Sequence, residues 1–138
     1  MKTSLALMCG VLMMSSVVFA EDTVETCANG AGVVITGAVT GHKYCKSKSS
    51  MNWWNAVSWC DALKRPLFDL EDCGCDWSTN CNGTCPELAK VAGYQFLWMI
   101  TPASDSRAYF VNPLFGSVAS QNRSDYSWSN YSAFALCK

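Results

Sequence analysis

Ser50-Met51-Asn52-Trp53-Trp54-Asn55-Ala56-Val57-Ser58-Trp59-Cys60-Asp61-Ala62-Leu63 is the one stretch of this chain that reads clearly as a helix. Trp53, Ala56, Val57, Cys60 and Leu63 recur at the three- and four-residue steps of a single helical face. Ser49 or Ser50 is expected to cap its start, because a hydroxyl accepts a hydrogen bond from an unpaired first-turn N–H. Pro66 cannot continue a helix, so the segment ends shortly before it. Trp54 and Trp59 lie off the apolar face. The helix is therefore covered on more than one side, or it displays an aromatic. A cysteine in the middle of the buried face, Cys60, predicts a staple to something distant in sequence.

Residues 1–20 read as a signal peptide. Lys2 gives a basic start, residues 5–14 are apolar, and Val18 and Ala20 are small residues at the two positions a signal peptidase reads. The apolar run is too short and too early to span a membrane. No later stretch is long and apolar enough to do so. Cys9 offers a lipid attachment point, but Met8 before it is too large for that processing, so cleavage after Ala20 is expected.

Residues 21–138 then form one domain, large enough for a modest core. Loss of Lys2 leaves nine basic and eleven acidic residues, a net charge of −2. Nothing in that balance recommends a nucleic acid partner. Loss of Cys9 leaves eight of the nine cysteines: Cys27, Cys45, Cys60, Cys73, Cys75, Cys81, Cys85 and Cys137. An even number behind an export signal reads as four disulfides in an oxidising compartment, whether secreted, periplasmic or at the cell surface. The count alone allows about a hundred pairings.

Along the chain, residues 21–26 are polar and acidic and read as a loose terminus. Residues 32–39 alternate β-branched and small side chains and predict a strand between Gly30 and Gly41. Cys27 and Cys45 flank it and are placed to clip it to a neighbour. Lys43, Lys46 and Lys48 form a basic, serine-rich lead into the helix, read as a solvated loop. After the helix, residues 66–70 read as a short strand or extended segment. Residues 73–85 hold Cys73, Cys75, Cys81 and Cys85 among Gly and Asn, which excludes regular structure. Pro86 starts a short helical turn over residues 87–91. Residues 94–100 are an apolar run of strand length that Pro102 stops. Residues 107–112 make a second strand, 117–121 a third, and 132–137 a closing strand. There are no internal repeats and no linker to a second domain.

These pieces resemble a known family. Trp53, Ala56, Cys60, Leu63 and Leu67 have the spacing of the first helix of C-type lectin-like domains. Leu97-Trp98-Met99-Ile100 resembles that family's tryptophan-containing core strand. Phe134-Ala135-Leu136-Cys137 resembles its closing strand, which ends in the cysteine that pairs with the first-helix cysteine. The order of helix, short helix, core strand, hairpin and final strand is similar too. The resemblance covers about residues 44–137 and is nearest to small exported bacterial domains with a Tyr-Cys start, a Trp-Trp helix and a Tyr-Phe-Val-Asn strand.

The resemblance implies a compact α+β fold of short antiparallel sheets, one main and one short helix, and a Cys60–Cys137 disulfide. Such a crosslink closes a loop of roughly seventy-odd residues and contributes on the order of 4 kcal/mol through loop-closure entropy. Cys27–Cys45 then follows from proximity. The other four cysteines are left to pair among themselves. Neighbours one residue apart rarely bond, so Cys73–Cys81 with Cys75–Cys85, or Cys73–Cys85 with Cys75–Cys81, remain open.

Departures from the family pattern bear on function. Sugar-binding members carry calcium ligands as Glu-Pro-Asn or Gln-Pro-Asp in a long loop, and as Trp-Asn-Asp on a later strand. Here only residues 101–106 separate the two strands, and Thr101-Pro102-Ala103 has no acid beside the proline. Trp128-Ser129-Asn130 lacks the carboxylate. Calcium takes about six to eight oxygen ligands, several charged, so the calcium-dependent sugar site is expected to be missing. Lys64 stands where a glycine usually ends the first helix, a small loss in capping.

No catalytic constellation is legible. His42 is the only histidine and lies in a Gly-rich loop. A Cys–His nucleophile needs a free thiol, and all eight cysteines can pair. Neither Gly-x-Ser-x-Gly nor His-Glu-x-x-His occurs. No enzyme activity, cofactor or metal is expected. The cysteine spacing at 73–85 could hold zinc, but disulfides are favoured in an exported chain. Asp69, Glu71, Asp72 and Asp76 near Asn80 and Asn82 read as a solvated acidic loop rather than a structural calcium site.

Aromatics are the recognition candidates. Trp77 lies in the cysteine-rich insertion; Tyr126, Trp128 and Tyr131 lie with Arg123 in a Ser/Asn-rich loop. Exposed rings beside amides and an arginine suit sugar faces or a protein hot spot. The competing reading is that these rings fold back over a small core. Trp53, Trp98, Phe110 and Phe134 are assigned to the core. Asn82-Gly83-Thr84, Asn122-Arg123-Ser124 and Asn130-Tyr131-Ser132 match the glycosylation acceptor pattern and matter only in a glycosylating host. The sequence thus predicts a non-catalytic binding domain outside the cytoplasm, with a protein or carbohydrate ligand and no calcium. A minor subunit of a surface appendage or secretion apparatus is one alternative. An exported inhibitor or toxin-like protein working through residues 73–85 is another.

Overall fold

A computed structural model describes residues 23–73, 85–88, 95–113, 117–125, 127–128 and 131–138, with backbone alone at 117, 127, 128 and 131. The signal-peptide segment, Cys75, Trp77, Cys81 and Tyr126 lie outside the described residues. So do Asp76, Asn80 and Asn82.

The helix is α1, Trp53–Ala62, and it starts later than the serines suggest. Asn52 is the cap: its side chain accepts from the Asn55 amide at 2.9 Å. Ser49 and Ser50 do not cap because the lead-in is committed elsewhere. The Ser49 carbonyl accepts the Ser47 hydroxyl at 2.8 Å, and the Met51 amide donates to Ala133 at 3.0 Å. The last turn closes through Lys64, whose φ of 57° is the left-handed conformation that glycine adopts without strain. Trp53, Ala56 and Cys60 are buried, while Trp59 is half-buried on the same cluster. Trp54 is 50% exposed. The helix is thus covered on more than one side and also displays a ring.

Strands β1 (Thr26–Cys27), β2 (Gly32–Thr36) and β3 (Lys43–Ser47) form an antiparallel run in chain order. Strands β4 (Phe96–Pro102), β5 (Arg107–Asn112) and β6 (Ser117–Asn122) form another. β7 (Ser127–Trp128) and β8 (Tyr131–Phe134) make a hairpin that joins β4 through a parallel β4–β8 pair. β9 (Leu136–Cys137) lies antiparallel against β3. The four-stranded sheet has the order β1-β2-β3-β9 and the five-stranded sheet the order β6-β5-β4-β8-β7. Among the described residues the architecture is mixed α+β with one α-helix and two small sheets, antiparallel apart from that single pair.

The expected closing strand is two strands. Residues before Ala135 pair with β4, and residues after it pair with β3. Ser47 makes the change of sheet possible. Its hydroxyl accepts the Ala135 amide and its own amide donates to the Ala135 carbonyl, both at 3.0 Å. Residues 67–70 are not a strand: Leu67 makes one bridge to Cys137, and Leu70–Cys73 is a 3-10 turn. Residues 86–88 form a turn where a short helix was expected over 87–91; residues 89–91 lie outside the described set.

β4 separates two clusters of buried side chains, because successive side chains of a strand point to opposite faces. Trp98 packs with Trp53, Ala56, Cys60, Phe110 and Cys137 on the helix side. Leu97 and Met99 pack with Tyr44, Phe68, Leu70, Leu88 and Leu136 on the other. Phe134 is half-buried against that second cluster. Two indoles cross-brace the helix side. Trp53 Nε1 donates to the Met99 carbonyl at 2.8 Å, and Trp98 Nε1 to the Met51 carbonyl at 2.7 Å.

Among the described residues there are three disulfides: Cys27–Cys45, Cys60–Cys137 and Cys73–Cys85. The third excludes Cys73–Cys81 with Cys75–Cys85. Gly32 makes room for the first, since a Cβ there would lie 2.8 Å from Cys27 Sγ and 2.9 Å from Cys45 Sγ. The basic lead is a solvated loop only at Lys48, which is exposed in a bend. Lys43 and Lys46 are in β3, and Lys46 is buried. The alternation of β3 puts Lys46 on the same face as Tyr44, which draws its stem inward. Its Nζ bonds Gln95 Oε1 and lies 4.5 Å from the Phe134 ring centroid. Among the described residues no helix is long and apolar enough to cross a membrane.

Candidate functional site

Arg123 is placed by the turn that ends β6. The Asn122 side chain accepts the Ser124 amide at 2.9 Å, and its carbonyl accepts the Asp125 amide at 3.1 Å. That turn aims Arg123 at the start of α1. Its guanidinium lies 4.5 Å from the Trp53 ring centroid and 5.2 Å from that of Trp54. The two indoles stand edge to face, 4.9 Å apart. Arg123 Nε donates to the Arg107 carbonyl at 3.3 Å, and a terminal nitrogen donates to the Ser104 carbonyl. The backbone is tied as well: Trp53 donates to the Arg123 carbonyl at 3.1 Å, and Arg123 to Ser106 at 2.8 Å.

Arg123 therefore joins the helix start, the β4–β5 turn and the end of β6. It works as a positioning group, and the surface it positions is Trp54. A cation held over an indole contributes roughly 0.5–1 kcal/mol at an exposed site, enough to restrain the ring. Of the other predicted residues, Trp128 and Tyr131 are register partners in the β7–β8 hairpin. That hairpin sits at the opposite edge of the five-stranded sheet from β6. The lead into α1 spans the gap, bonded to β8 through Met51 and to Arg123 through Trp53.

A second feature lies beside the Cys73–Cys85 disulfide. One cavity of about 380 Å³ is lined by Val39, Thr40, Tyr44, Glu71, Asp72 and Glu87, among others. Another of about 250 Å³ adds His42 and Lys138 and shares Thr40, Tyr44 and Asp72. The two adjoin at these shared residues, against the turn between β2 and β3. Glu87, 2% exposed, ties the wall together. Its carboxylate accepts the Val39 amide at 2.9 Å, the Thr40 amide at 3.0 Å and the Thr40 hydroxyl, while the Ala38 amide bonds its carbonyl at 2.9 Å. Gly37 is required there, because a Cβ would fall 1.6 Å from Glu87 Oε1.

The electrostatics follow from these contacts. Burial pushes the Glu87 carboxyl up, but the bonds from Thr40, Val39 and the Tyr44 hydroxyl outweigh it and hold it below the usual range. Tyr44 is pushed up to about 12, first by burial and then by the charges of Glu87 and Asp72. Lys46 is lowered by burial.

The acidic group at residues 69–72 is divided. Asp72 pairs with Lys138 at 3.0 Å, while Asp69 accepts the Thr101 hydroxyl at 2.6 Å through one oxygen and buries the other with no partner among the described residues. Among the described residues no three His, Cys, Asp or Glu side chains are grouped to hold a metal. Sequence reasoning singled out Arg123 and placed Trp54 off the apolar face, but did not count Trp54 among the recognition candidates. Glu87 and Tyr44 carried no local signal, since their partners are more than forty residues away from Glu87. No family model matches the chain and no curated protein matches it, so its function is argued from geometry and residue chemistry.

Proposed function

We propose that this protein is an exported, non-catalytic binding domain of C-type lectin-like architecture. It engages a protein or glycan through the surface around Trp54 without calcium. The observation that carries this is the half-exposed Trp54 ring, held against Trp53 by the guanidinium of Arg123. A large aromatic fixed in place and left half in water is a poor use of a small domain's apolar area, and it suits stacking on a ligand. A core strand with a buried tryptophan and a disulfide from the first helix to the closing strand support the fold reading. The missing acidic motifs at Thr101-Pro102-Ala103 and Trp128-Ser129-Asn130 support calcium independence.

The test is capture of ligands by the immobilised protein, from native membranes and on a glycan array, with and without chelator. Trp54→Ala is expected to abolish capture while leaving the melting temperature within a few degrees. Capture that survives in Trp54→Ala would refute the assignment of the surface. Loss of signal on chelation would refute calcium independence.

A further inference from the structure

We propose that the cleft between the β2–β3 turn, residues 71–73 and residues 85–88 is a binding site for an alkylammonium group, which the chain's own Lys138 now engages. The cleft lies on the far side of β4 from Trp53, so it is separate from the surface proposed above. Its larger cavity, about 380 Å³, falls within the roughly 300–1,000 Å³ typical of small-ligand pockets.

Its chemistry points to a cation with an apolar stem. Glu71, Asp72 and Glu87 line the larger cavity, and Asp72 also lines the smaller one with Lys138 and His42. Val39, Pro86 and Cys73 supply apolar wall. Glu87 is saturated by its own donors and contributes field rather than contact. Asp72 is the contact group: one oxygen holds the Asp69 amide at 2.9 Å and the other meets Lys138 Nζ at 3.0 Å. That ion pair shows the chemistry the cleft accepts. Lys138 is 46% exposed on a flexible stem, against 16% for Asp72, and a pair with one partner this open to solvent is weakly held. A guest can displace it. The charges of Glu87 and Asp72, which act on Tyr44 after burial, also favour an ammonium.

The guest chemistry has two sources, a lysine side chain of a polypeptide and a free diamine. The test is an NMR titration of the full chain that follows His42, the only histidine and hence an unambiguous rim probe. Pentylamine is expected to shift it saturably and 1-pentanol is not. Asp72→Asn should weaken pentylamine about two- to five-fold, and Lys138→Gln should strengthen it by a similar factor, the size of an exposed pair. Glu71→Gln, on an exposed side chain, repeats the loss if Asp72→Asn fails to fold. Equal shifts from pentanol, no saturation, or a Lys138→Gln variant that binds no more tightly would each overturn the proposal. Tighter binding of Nα-acetyl-lysine methylamide than of 1,5-diaminopentane assigns the site to a polypeptide; the reverse assigns it to a polyamine.

Discussion

The two sides of β4 hold together by different means. On the helix side, apolar rings pack around Cys60–Cys137, and both indole N–H groups are satisfied by backbone carbonyls. On the cleft side, apolar residues share the space with a buried tyrosine, and nearby a buried lysine and a buried glutamate join the sheet and turn together. Both sides carry a disulfide, Cys60–Cys137 on the helix side and Cys73–Cys85 on the cleft side, so both should respond to reduction. Only the cleft side should also answer to protonation. The lesson is that a small domain can add a polar clamp to a covalent closure on one side of a single strand.

The largest effect should come from the closures. Cys60→Ala with Cys137→Ala removes a crosslink across a sequence separation of 77. It is expected to cost on the order of 4 kcal/mol in thermal or denaturant unfolding. Cys73→Ala with Cys85→Ala removes one across 12, worth about 3 kcal/mol on the same argument. If the second pair cost more than the first, the helix side would not be the main closure.

The polar clamp comes next. Glu87→Gln keeps the shape but sets an amide NH2 among donors, and about 1–3 kcal/mol of stability should be lost at neutral pH. The folded Glu87 carboxyl lies below its ordinary 4.5. Its contribution is therefore present above that value and lost as pH falls through the folded one. Melts of wild type and Glu87→Gln should converge in acid. Tyr44 runs the other way: folded near 12 against 10.0 unfolded, it contributes below pH 10 and loses that contribution as pH rises toward 12. Tyr44→Phe should flatten the alkaline limb. Identical acid limbs in wild type and Glu87→Gln would break the contrast between the two sides.

Two smaller changes sharpen the comparison. Lys46 has no carboxylate partner among the described residues, only Gln95, a carbonyl and the Phe134 ring. Lys46→Met should leave stability unchanged or raise it by about 1 kcal/mol, because an unpaired buried cation is costly. Lys64→Gly relieves the positive φ that ends α1 and should stabilise by about 0.5–1 kcal/mol. Calorimetry resolves both.

The sequence made the helix side legible and left the cleft side dark. Periodicity placed the Trp53–Cys60 face, and the resemblance linked Cys60 to Cys137, because both depend on local spacing and chain order. The strand at Arg107–Asn112 was bounded as observed, since apolar residues between turn signals need no tertiary help. Lys46 was misread because a lysine beside serines looks solvated until the alternation of β3 is known. The change of sheet at Ala135 rests on Ser47, 88 residues away, and no local pattern encodes it. Glu87 reads as an ordinary acid after Cys85-Pro86. Only the turn at residues 37–40 makes it a clamp.

The division of residues 131–137 between two sheets also orders events in time. Until that segment arrives, the five-stranded sheet lacks its parallel pair, the four-stranded sheet lacks an edge, and Cys60 lacks its partner. These contacts join residues far apart in sequence, the kind that slow folding because a long loop must close before they form. A chain that has not reached Cys137 therefore lacks the Cys60–Cys137 closure, although Cys27–Cys45 and Cys73–Cys85 join residues it already holds.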